Sequence, residues 1–354
     1  MSVDGALVVA LAYPALTGCP RPGDRVLLNT TALDLGLGTG GYALVVAVPD
    51  RLPPDPALPG HLVKGRYTPL QATVLGADEQ GSPHHDVLRD ADDLGGMPVV
   101  VADLHSAVPA VLAGVFSHPE RAGGDGPAGD PPGPGSPRVV YVMQDGGALP
   151  AWFSRTCAVL KEAGWLTAVV TTGQSFGGDL ETVTVHTGLL AARHVLGADV
   201  AIVAQGPGNL GTGTHWGFSG VAAGEAVNAA AALGGRPVAC LRISDADPRE
   251  RHRGISHHSL TAYGRVALAR ADVVVPGLPG EFGRLLAAEA APLGARHALV
   301  TVPVDGLEAS LRSCPAALST MGRGLDQDLA YFLAAAAAGR HAVRLLPHKT
   351  PSGG

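Results

Sequence analysis

The richest collection of chemically capable side chains in this sequence runs from Arg242 to Thr261, RISDADPRERHRGISHHSLT. Arg249, Arg251 and Arg253 alternate through it, Arg242 stands ahead of them, and His252, His257, His258 and Ser259 are interleaved or follow. Guanidinium forks match the planar oxygens of carboxylate and phosphate, so this cluster reads as an anion clamp. A solvated surface turn is the other reading. Metal ligation would need His252, His257 or His258 to meet Asp103, His105 or Asp145 in space, and adjacent histidines on one element usually point apart.

A second stretch, AIVAQGPGNLGTGTHWGFSG, carries apolar residues from Ala201 straight into a glycine-rich loop. Gly206, Gly208 and Gly211 form a GxGxxG, but without dinucleotide-site context, and no lysine follows as a phosphate loop requires. Without Cβ atoms, main-chain N–H groups can converge on an anion, and Asn209, Thr212 and Thr214 add donors. A tight turn needing positive φ is the competing explanation. Similar groups follow other apolar runs: Asp145-Gly146-Gly147, Thr172-Gly173 and Gly178-Asp179. Asp145 with His105 or His257 would supply a general acid–base pair. Ser154, Asp179 and Ser259 also fit plain helix caps, and Cys157 and Cys240 read as small buried hydrophobes.

These groups need a scaffold that gathers them. From Met97 onward seven apolar runs, MPVVVADLH, RVVYVM, LTAVVTT, DVAIVAQ, RPVACLR, DVVVP and HALVTVPV, are separated by helix-like segments, several closed by glycine. Strands without polar alternation, joined through single helices, predict an α/β fold: a doubly wound, mostly parallel sheet covered on both faces over residues 97–346. Ligands of such sheets bind at the carboxyl ends of the strands, which is where the polar residues collect. Residues 1–75 read as a small β-barrel-like domain of short strands, with 76–96 as a linker. The Pro/Gly segment 118–137 reads as a disordered loop and 347–354 as a frayed tail.

The chain has 354 residues, 46% of them apolar and only 4% aromatic, so its core must be built from small aliphatic side chains. The four cysteines show no CxxC spacing, which argues against a disulfide framework. An acidic residue near the start disfavours a signal peptide, and the apolar runs are too short or too interrupted to cross a bilayer. The formal net charge of -6 and the scarcity of aromatics make nucleic acid an unlikely partner. A soluble cytoplasmic protein follows, with homo-oligomerisation left open and no cofactor selected by any motif.

The strings GDRVLLNTTALDLGLGTGGYALV, GRYTPLQ, SPHHD, YVMQDGGALP, GGDLE, GPGNLGTGT and RERHRGISHHSLT resemble a bacterial family, domain of unknown function 3866, over nearly the whole chain. That resemblance implies no activity, cofactor or catalytic residue. The functional expectation therefore rests on the residues alone. It is an anion-binding site for a small phosphorylated or carboxylated metabolite, in a hydrolase or transferase using Asp/His proton transfer. A non-catalytic ligand-sensing or regulatory module, with the N-terminal β domain contacting a partner or nucleic acid, is the alternative.

Overall fold

The computed structural model describes residues 1–3, 5–38, 40–55, 60–117, 132–133 and 135–347. The chain forms two compact units, Met1–Leu75 and Gly76–Gly354. The segment expected to be disordered, 118–137, lies mostly outside the described residues, as does the tail beyond residue 347.

In the second unit eight strands form one sheet: β1 (Pro98–Val101), β2 (Val139–Gln144), β3 (Ala168–Thr171), β4 (Leu180–Glu181), β5 (Val200–Gln205), β6 (Arg236–Cys240), β7 (Asp272–Gly277) and β8 (Ala298–Pro303). Every pairing is parallel, in the order β4-β3-β2-β5-β1-β6-β7-β8. Seven of these strands are the expected apolar runs. The two-residue β4 carries no apolar signal of its own. Alternation along β1 shows why the runs are continuous: Val100 and Ala102 enter one core, whereas Val99 and Val101 enter the other. Both faces are covered, so both sets of side chains must be apolar.

Helices α1 (Val108–Val115), α2 (Arg155–Glu162), α7 (Leu307–Arg312) and α8 (Leu329–Arg344) contribute to the first core. Helices α3 (Val185–Leu190), α4 (Ala222–Ala232) and α6 (Gly280–Ala290) contribute to the second; α5 (His257–Thr261) belongs to the rim described below. Small residues let these layers approach closely. A Cβ on Gly114 of α1 would collide with the Ala336 carbonyl of α8, and one on Gly339 would collide with the Val111 carbonyl. The alanine run in YFLAAAAAG is thus a buried helix that packs across β1, β6, β7 and β8. No helix among the described residues is long and apolar enough to cross a membrane.

Two expectations need correction. Residues 76–96 do more than connect, because Leu88 and Leu94 are buried in the second core. Among the described residues the N-terminal unit forms three small separate sheets rather than a closed barrel. Its strands span two to five residues each, too short to close a barrel on themselves.

Candidate functional site

At two places in the strand order, neighbouring strands send their chains apart from one another. From β2 the chain moves outward to β3, while its neighbour β5 leads across to β6. From β1 it crosses toward β2, while its neighbour β6 leads outward to β7. Loops leaving such pairs diverge and open a crevice at their carboxyl ends.

The crevice between β2 and β5 is closed by main chain. The Ala148 N–H donates to the Pro207 carbonyl at 2.7 Å, and a Cβ on Gly147 would strike the Gly206 carbonyl. Gly146 packs against the Gln205 side chain and Gly206 against Ala148. These glycines serve close backbone approach. Tyr141 Oη donates to the Gln205 carbonyl at 2.7 Å, so its oxygen is free to accept from His105 Nδ1 at 3.0 Å. His105 Nε2 then accepts from Ser154 Oγ at 2.8 Å, and that oxygen caps α2 by accepting from Cys157 N. Burial lowers the His105 pKa to about 4, so the ring is neutral and bonded at both nitrogens. A cavity of about 230 Å³ lies beside it, lined among others by His105, Ser106, Thr156, Gly208 and Asn209.

The remaining residues of this side are also engaged. Asp145 is exposed and accepts from Gln174 N at 2.8 Å, which brings it to the β3 loop rather than to a histidine. Thr172 is buried, its N–H donating to Met143 O, and Gly173 N–H donates to Val183 O. Gly178 and Asp179 run back along the edge of β3 and lead into β4: the Asp179 carboxylate accepts from Val169 N at 2.8 Å and pairs with Lys161. The glycine loop bonds mainly to itself. Thr212 N donates to Gly217 O, Gly217 N donates to Thr214 Oγ1, and Ser219 Oγ donates to Asn209 Oδ1. Gly211, Thr212 and Thr214 are exposed.

The crevice between β1 and β6 is different. Tyr263 Oη spans its floor, within reach of the last carbonyls of both strands, Val101 at 2.8 Å and Cys240 at 3.1 Å. Above it lie Asp103, just beyond β1, and Arg242, just beyond β6, both buried. Arg242 is held by Ser259 Oγ, which accepts from its backbone N at 2.9 Å. Its Nη1 lies 3.3 Å from His258 Nδ1 and 3.8 Å from Asp103 Oδ2, and Asp103 Oδ2 is 3.6 Å from His258 Nδ1. The His258 ring stacks on Phe218 of the glycine loop with centroids 3.8 Å apart. His252, His257 and His258 face one another, one nitrogen of each within 4.8 Å of the others. His252 Nδ1 meets Ser256 Oγ at 2.7 Å. Burial, reinforced by neighbouring guanidiniums and imidazole, lowers the pKa of His252 to about 3 and of His257 to about 4. Two buried atoms here have no hydrogen-bond partner: Asp103 Oδ2 and His257 Nε2.

The arginine cluster divides. Asp247, fully buried, accepts from Arg249 Nε and Nη2 at 2.9 and 2.8 Å and from Arg323 Nη2 at 3.0 Å. Arg323 also donates to Asp328, which in turn accepts from Ser244 Oγ. Arg253 Nε donates to the Asp247 carbonyl at 3.1 Å. Arg251 is exposed, reaches toward Gly213 of the glycine loop, and forms no ion pair among the described residues. Three of the four expected clamp arginines, Arg242, Arg249 and Arg253, are therefore already engaged by groups of this chain. Asp247, Arg323 and Asp328 escaped sequence reading. The Asp247–Arg249 spacing in SDADPRERHR offered a local cue, but Arg323 and Asp328 lie far along the chain with none.

A family model described as "Protein of unknown function (DUF3866)" matches residues 9–339. The chain belongs to this family. Neither the curated proteins nor the solved structures hold a match to this DUF3866 chain.

Proposed function

We propose that this chain is an enzyme acting on a small anionic metabolite, carrying phosphate or carboxylate, at the crevice between β1 and β6. The observation behind this reading is exposed Arg251, the expected clamp arginine with no ion pair among the described residues, beside a cluster with two buried atoms lacking hydrogen bonds, Asp103 Oδ2 and His257 Nε2. Leaving a buried polar atom unsatisfied costs about 1–3 kcal/mol. Such a cost, concentrated at a crevice of a parallel sheet, marks a place kept ready for a ligand. Arg251 is the guanidinium available to an incoming anion. Neutral His257 is able to take a proton, and Asp103 orients His258 and Arg242. Proton transfer thus falls to the Asp103–histidine group, with Asp145 and His105 holding the loops around it.

Titration calorimetry with inorganic phosphate, sulfate and small phosphorylated or carboxylated metabolites tests the reading. At least one compound should bind, and Arg251→Ala should weaken it about tenfold, the loss of one charge-assisted hydrogen bond. The same substitution should shift stability by less than about 0.5 kcal/mol, because Arg251 is exposed. Binding that Arg251→Ala leaves unchanged, or no binding at all, refutes the proposed site. A compound that binds at this site but is never turned over would make the chain a sensor.

A further inference from the structure

We infer that His252, His257 and His258 form a site for a divalent first-row transition ion of the zinc type. The three side chains come from one short segment, His252 just ahead of the tight turn at Gly254 and His257 and His258 on α5, and the turn folds them together. One nitrogen from each lies within 4.8 Å of the other two. Around a tetrahedral zinc ion, bonds of about 2.0–2.1 Å place ligand nitrogens about 3.3 Å apart. Closure onto an ion therefore asks for movements of about 1.5 Å at most, within reach of imidazole rotation.

Three observations favour an ion here over a packing cluster. First, His257 Nε2 is buried and unpartnered, which a purely structural histidine avoids. Second, His252 Nδ1 is engaged by Ser256 Oγ, so Nε2 is the nitrogen left to ligate. Third, the carboxylate oxygen Asp103 Oδ2, itself without a hydrogen bond, stands 3.6 Å from His258 Nδ1, a buried negative charge beside the three imidazoles.

Three protein ligands leave the fourth position of a tetrahedral ion open, as in catalytic rather than structural zinc sites. The glycine loop borders the cluster: His215 faces His257 with ring centroids 6.2 Å apart, and Phe218 stacks on His258. The inference concerns the same crevice as the proposed function but does not depend on an anionic substrate; with an ion held there, His257 is a ligand and proton transfer stays with Asp103.

Full-length protein stripped with chelator and titrated with Zn²⁺ or Co²⁺ tests it. One equivalent should bind, with the visible bands of tetrahedral cobalt. His257→Gln, at a partly exposed position, should weaken affinity by more than about 100-fold, and Asp103→Asn by about 10–100-fold through its effect on His258. Thermal melts of both variants check folding. If either is unfolded, the cobalt spectrum of the wild-type protein decides, because imidazole and thiolate ligation give different bands. Absence of stoichiometric binding, a thiolate spectrum, or affinity indifferent to folded His257→Gln would overturn the assignment. Arg251→Ala serves as the control. It should spare metal affinity while weakening anion binding about tenfold, so the two proposals fail separately.

Discussion

Two crevices open at the same rim of one sheet, and they differ in the kind of atom left without a partner. Between β2 and β5, glycines let loop backbones touch, and His105, Tyr141 and Ser154 form a chain in which each donor has an acceptor, leaving a buried amide oxygen, Gln205 Oε1, without a hydrogen bond. Between β1 and β6, the atoms without one are titratable: a buried carboxylate oxygen and a buried imidazole nitrogen. Both regions look alike in sequence: apolar run, then polar and glycine residues. The difference lies in what the polar groups meet, and an unsatisfied titratable group is the better indicator of function than a glycine count.

The strongest way to break this contrast is through Asp247, which anchors the arginines beside the β1–β6 crevice. Asp247→Asn should destabilise the protein by about 3 kcal/mol, the low end for breaking a buried ion pair because Arg249 and Arg323 are only half-buried. Urea denaturation measures it. Burial by itself would raise the Asp247 pKa, but the hydrogen bonds from Arg249 and the charges of Arg249 and Arg323 outweigh it and hold the carboxyl below its usual 3.8. Its contribution is accordingly complete above pH about 4 and lost as the pH falls further. In Asp247→Asn that part of the acid sensitivity should vanish.

His105 sharpens the comparison from the other crevice. Its folded pKa of about 4 lies below the ordinary 6.5, so the unfolded chain takes up the proton first as pH falls. Stability should then drop by about 3 kcal/mol between pH 7 and pH 4, following the linkage between proton uptake and folding. Denaturation curves across that window should flatten in His105→Gln. An unchanged slope would show that His105 is not the neutral, doubly bonded link described above.

Two glycine substitutions separate the smallest effects. Gly147→Ala should cost about 2–3 kcal/mol, because its Cβ meets the rigid Gly206 carbonyl. Gly208→Ala should cost only about 1 kcal/mol, since nothing lies within 4 Å and the penalty comes from its φ of +89° alone. Thermal melts of the pair distinguish glycines that join loops from one that merely turns.

The scaffold was legible because each strand must satisfy two apolar faces at once, which leaves an unmistakable run such as VVYVM. β4 was not, because two residues carry no period, and neither was the open form of the N-terminal sheets, which depends on strand pairing. At the site, the Arg242–Ser259 segment was visible as chemistry, but its internal wiring was not. Arg249 is bound by Asp247 two residues earlier, whereas Arg323 and Asp328 arrive from a distant segment. Asp103 and His258 stood out only as a strand end and one of a histidine pair, since adjacency in sequence says nothing about the turn that brings His252 back to them.

The glycine-to-carbonyl seating of α8 on α1 also sets a schedule for the nascent chain. Helix α1 is the first to leave the sheet, yet its partner is the last helix of the described fold. Until Leu329–Arg344 has been synthesised, the apolar flank of β1, β6 and β7 stays wet, and this half of the domain cannot close. Long-range docking of this kind slows folding and leaves a sticky intermediate on the ribosome. The protein should therefore depend on holding chaperones more than its simple alternation of strand and helix would imply.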